Sequence, residues 1–111
     1  MILGPEEYDR VARHLLAGYL SYHDERLLAS ARGVETHRSG SVRRAWDRVL
    51  ADCAMTAAFL HTTPYRIRVE MESAAEESIG EARTSDRRSD WVETAYVFLA
   101  KRLEGIREGD T

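Results

Sequence analysis

Arginine is the residue type with the most recognition chemistry to offer in this sequence. Fifteen of the sixteen basic residues are arginine, and Lys101 is the single lysine. Arg38, Arg43, Arg44 and Arg48 gather around the start of one amphipathic segment. Guanidinium binds phosphate and carboxylate in a planar, bidentate fashion. Arg44 and Arg48 lie four residues apart and share a helix face, with Arg43 beside them, so the three could follow a phosphate backbone. Arg87 and Arg88, in the last connection, join that surface if the fold brings the two loops together. Coding DNA rich in G and C also favours arginine over lysine, so the placement of these residues carries more information than their number.

Catalytic and metal chemistry find less support. His14, His23, His37 and His61 are scattered, and no Glu-x-x-His pair sets two metal ligands on one helix face. Cys53 stands alone, without a CxxC partner, and reads as a small core residue. There is no glycine-rich phosphate loop, nucleophile elbow or zinc spacing. No catalytic residue, metal or cofactor is therefore expected.

One short run matches a known pattern. Arg32-Gly33-Val34-Glu35-Thr36-His37 has the Arg-x4-His spacing of HEPN-type ribonucleases, which are also small helical bundles. In this respect the chain resembles that family, and the resemblance implies a ribonuclease as one reading of the chain. It covers these six residues alone. The family carries both residues on a helix, usually with a polar residue after the arginine. Here a glycine follows and the run reads as a connection between helices.

The elements that must position these residues follow from periodicity. The chain has 111 residues, 43% of them hydrophobic, and a net charge of −3. That is one domain spanning 1–111, with enough apolar content for a core. Charged and apolar residues are mixed, which excludes disorder, and a lone cysteine excludes a disulfide scaffold. The longest run free of charge and strong polarity, Cys53 to Leu60, is too short to span a membrane. The first residues do not read as a secretory signal, so a cytoplasmic protein is expected.

Four segments carry apolar residues at helical spacing. The first opens at Gly4-Pro5-Glu6-Glu7, which suits a helix start, and ends near Gly33, a natural C-terminal cap. The second follows Ser39-Gly40-Ser41, with Val42, Ala45, Trp46, Val49, Leu50, Cys53, Ala54, Ala57 and Leu60 in register. Its second half is apolar nearly all round, so it is either central in the fold or covered by a partner. Met55 and Phe59 are the contact residues that the second case implies.

The third segment begins at Thr63-Pro64. Tyr65, Ile67, Val69 and Met71 alternate there with charged residues, which is the strand period. Helix is favoured by the continuation into Ser73-Ala74-Ala75-Glu76-Glu77 and by Arg66–Glu70 and Arg68–Glu72 at i, i+4. A lone strand would have nothing to pair with. The fourth segment starts near Ser89-Asp90, with Asp90 and Glu93 spaced as a capping box. The expected fold is all-α, a compact bundle of about four helices, with a strand at the third segment as the minority alternative.

Charge is segregated along the chain. Residues 32–69 carry +4 and residues 70–82 carry −5, so a small net charge hides a dipolar surface. The leading expectation is a non-catalytic subunit or adaptor within a larger assembly, and most of all a nucleoprotein, with the arginines on the nucleic-acid backbone. Small helical subunits of CRISPR effector complexes are similar in size and architecture. The alternative is a small inhibitor or regulator, such as a phage-encoded one, that binds a partner protein through Glu70, Glu72, Glu76 and Glu77. A protein partner is expected in both cases, nucleic acid within a complex in the first, and a second copy of the chain is a further candidate.

Overall fold

The computed structural model describes residues 4–81 and 88–109. Four helices make up the architecture: α1 (Pro5–Ala31), α2 (Gly40–Leu60), α3 (Pro64–Glu81) and α4 (Arg88–Gly109), with a short 3-10 turn at Thr36–Arg38 between the first two. No strand occurs among the described residues. The alternation in the third segment is a helix read two residues at a time. Its alternate apolar residues part company, with Ile67 and Met71 fully buried and Tyr65 exposed.

The boundaries follow local chemistry. Pro5 sits in the first turn of α1, followed by Glu6 and Glu7 at the positive end of the helix dipole. At the other end Gly33 takes φ +72° and the Val34 N–H bonds the Ala29 carbonyl at 2.9 Å. Glycine adopts that left-handed conformation without steric cost. Ser39 caps α2 by accepting the Val42 N–H at 3.3 Å. Thr63 caps α3 by accepting the Arg66 N–H at 3.1 Å. His61 ends α2 in the left-handed region, which turns the chain into α3 within three residues.

Helix α4 starts where the sequence places it, to within two residues. The helix begins at Arg88, two residues before Asp90. The Glu93 carboxylate reaches across to α1. It bonds Arg13 of α1 at 3.2 and 3.3 Å, and Arg13 also bonds Asp9 at 2.9 Å. A cross-helix guanidinium offers the carboxylate a charge-assisted bond.

The helices form a closed ring, with α1 against α2, α2 against α3, α3 against α4, and α4 back against α1. The core is the set of apolar stripes that this ring turns inward. Tyr8, Ala12, Leu15 and Leu16 come from α1, Val49, Cys53, Ala57 and Leu60 from α2, Ile67, Met71 and Ala74 from α3, and Ala95, Leu99, Leu103 and Ile106 from α4. Ser78 is fully buried among them and its hydroxyl bonds the Ala75 carbonyl at 2.8 Å. No described helix is long and apolar enough to cross a membrane.

Cys53 lies in this core with 1% of its surface exposed. Burial, with the Asp52 carboxylate adding to it, pushes its thiol up to about 11 from the usual 9.0. The unfolded chain therefore ionises this thiol first as pH rises, and stability falls between those two values. Below pH 9 the effect is absent. Cys53→Ala should flatten the alkaline limb of a plot of denaturation midpoint against pH. In the native wild type, a thiol reagent should label Cys53 only at the rate of unfolding.

Candidate docking surface

The all-round apolar end of α2 is where the fold leaves something unfinished. Cys53, Thr56, Ala57 and Leu60 face the core, and the Thr56 hydroxyl is satisfied by the Asp52 carbonyl at 2.9 Å. The opposite side is open to solvent. Met55 is 73% exposed, Phe59 50% and Leu50 40%, and Ala51, Ala54 and Ala58 between them are exposed as well. This half of α2 is therefore not central in the bundle. One of its faces is core and the other is an apolar surface in water.

That surface continues into the arginines. Arg44, Arg48, Ala51, Met55 and Phe59 are spaced four, three, four and four residues apart, which keeps them in one stripe along the helix. The first half of the stripe is basic and the second half is apolar. Arg43 and Arg44 are exposed and make no ion pair among the described residues. Arg38 leans on Glu35 at 3.4 Å in the 3-10 turn. Arg48 reaches toward Asp52 at 3.8 Å, beyond hydrogen-bond range.

Asp52 is the one charged residue between Val49 and Leu60, and it turns sideways toward α1. Its carboxylate is 11% exposed, with Oδ1 3.3 Å from His14 Nε2. A β-carbon at Gly18 would lie 3.2 Å from Oδ2, so glycine there lets the acid lie against α1. The pair forms one wall of an apolar groove of about 390 Å³ between α1 and α2. Tyr8 and Val11 line it from α1, Met55, Phe59 and Leu60 from α2, and Leu103 from α4.

The far end of the same helix pair is closed by aromatic groups. Tyr22 and Trp46 lie 4.8 Å apart between ring centres. The Arg68 guanidinium stacks over Trp46 at 5.9 Å and over Tyr65 at 5.4 Å. His23 packs edge-on against Tyr19 at 4.6 Å. Burial and the neighbouring Arg26 hold its imidazole below the usual range, as suits a packing histidine.

The glutamates of α3 are in a different situation. Arg102 of α4 bonds Glu70 at 3.0 Å and also bonds Glu77. Arg66 stands 3.8 Å from Glu70 and Arg68 3.9 Å from Glu72, as the i, i+4 spacing predicts. The acidic block is thus largely matched by arginines of its own domain, and Glu76 is exposed without a pair shown. Arg32 and His37 fall on either side of Gly33, at the end of α1 and in the 3-10 turn, where His37 contacts Glu35 at 3.2 Å. They do not share a helix. Arg87 lies outside the described residues, and Arg88 begins α4 with its side chain outside them. No group of three metal-ligating side chains occurs among the described residues.

Sequence reasoning found Met55 and Phe59 but not the groove beside them. His14 and Asp52 belong to it, and the contacts of Asp52 with His14 and Gly18 span 38 and 34 residues of the chain. The one available signal was a single acid inside an otherwise uncharged stretch. No family model, curated protein or solved structure matches the chain.

Proposed function

We propose that the chain is a non-catalytic docking subunit that works inside a larger assembly and binds a protein through the outward face of α2. The observation that carries this reading is the uncharged surface from Leu50 to Phe59, open to solvent beside an apolar groove. Contiguous apolar surface rimmed by polar groups marks interaction sites in soluble domains. The paired acids of α3 make the acidic-helix alternative weaker, because a partner would have to displace Arg102, Arg66 and Arg68 first. Met55→Glu tests the reading. Binding to the protein partner should be lost while the fold is kept, and retained binding would sink it.

A second reading rests on Arg43 and Arg44, which are exposed and unpaired among the described residues where Arg13, Arg66 and Arg102 are held by acids. In a nucleoprotein, these two with Arg38 and Arg48 would lie along phosphates. Arg43→Glu with Arg44→Glu should then abolish nucleic-acid retention at low salt, and wild-type retention should fall steeply as salt is raised. Equal retention by both proteins would remove this reading and leave the first standing.

A further inference from the structure

We infer that the occupant of the α2 face is a second copy of this chain, docked with its own α2 antiparallel to the first. The inference rests on the docking reading above and names its partner. Charge is the first argument. Helix α2 has Arg43 and Arg44 close to its N-terminus, no acid in its first turn and no base in its last. Its cations therefore stand at the positive end of its dipole, and nothing opposes the negative end. Laid antiparallel, each copy places Arg43 and Arg44 beside the unneutralised C-terminal end of α2 in the other. A two-fold axis makes both contacts at once. A parallel pair would instead crowd four guanidiniums together. The surface complements itself in one direction only.

The middle of the face is built for close approach. With the two-fold axis between positions 52 and 53, Ala51 of one copy meets Ala54 of the other, and Leu50 meets Met55. Small side chains at the centre let the helix axes come together, and the larger ones at the flanks fill the space beside them. Asp52 is turned toward His14, so the axis carries no outward charge. Asp47 lies further out and leaves that end of each face net basic. The centre of the contact is therefore made of alanine, leucine and methionine side chains from both copies.

Sedimentation of the full chain across the micromolar range tests the inference. A reversible monomer–dimer equilibrium is expected. Ala54→Glu should weaken it by at least about 100-fold, because two like charges then meet near the axis, with circular dichroism unchanged. Arg44→Glu should weaken it by about tenfold at low salt and less at high salt. Orientation is read by cross-linking: Arg44→Cys mixed with His61→Cys should form a disulfide-linked pair, and Arg44→Cys alone should not. Cys53 is buried and adds no background. A chain that stays monomeric throughout, or that cross-links Arg44→Cys to itself, overturns the inference. The docking reading survives that failure if Met55→Glu still removes binding of a different protein, and falls with it if it does not.

Discussion

Leu99→Ala should lower the stability of the chain by about 3 kcal/mol and the melting temperature by about 15 °C. Leu99 is fully buried on α4, the helix that packs against both α1 and α3. Truncation loses the transfer free energy of the removed carbons and leaves a cavity that neighbouring helices can only partly close. In a closed ring of four helices, the wall of that cavity belongs to elements already fixed by their other contacts. Urea unfolding followed by circular dichroism would measure the loss, with the slope against denaturant unchanged. Domains of this size have total stabilities of about 5–15 kcal/mol, so the variant should still fold at low temperature. Below its melting point it should also keep its partner binding, because Leu99 does not line the groove. A loss below about 1 kcal/mol would mean that the core is looser than its burial implies.

The helices were legible in the sequence because each is announced locally. Pro5, Ser39 and Thr63 mark starts within one turn, and Gly33 marks an end. The i, i+4 pairs Arg66–Glu70 and Arg68–Glu72 were readable for the same reason, since both partners lie on one helix. What the sequence did not disclose are the contacts between helices. The ring sets Arg13 of α1 opposite Glu93 of α4, 80 residues away in the chain. Arg102 of α4 bridges to Glu70 and Glu77 of α3. A helix pattern states which residues turn inward and not which polar residue of a neighbour meets them.

The candidate surface shows the same division. An apolar run such as Cys53 to Leu60 has two solutions, a central helix or a covered one, and periodicity alone cannot separate them. The ring separates them, because only one face of α2 meets α1 and α3. Met55 and Phe59 could be named as contact residues from the sequence. The groove could not, because Tyr8, Val11 and Leu103 come to it from other helices.

Met55→Glu should produce the opposite result to Leu99→Ala: stability within about 0.5 kcal/mol of the wild type, and partner binding weakened by at least about 100-fold. Met55 is 73% exposed, so the folded monomer gives up little when it is replaced. Glutamate has nearly the helix propensity of methionine, which keeps α2 intact. Binding is affected in two ways. The partner no longer covers an apolar side chain, which costs about 1–2 kcal/mol, and it must desolvate a carboxylate, which costs more. Phe59 would give a less clear answer. It is only 50% exposed and stands one residue from the end of α2, so Phe59→Asp would lose packing and set an acid against the negative end of the helix dipole. Calorimetric unfolding and a binding measurement on the same preparation separate the two quantities. Full binding by Met55→Glu would show that the apolar face of α2 is surface and nothing more. Loss of binding together with loss of fold would place Met55 in the core, contrary to its exposure.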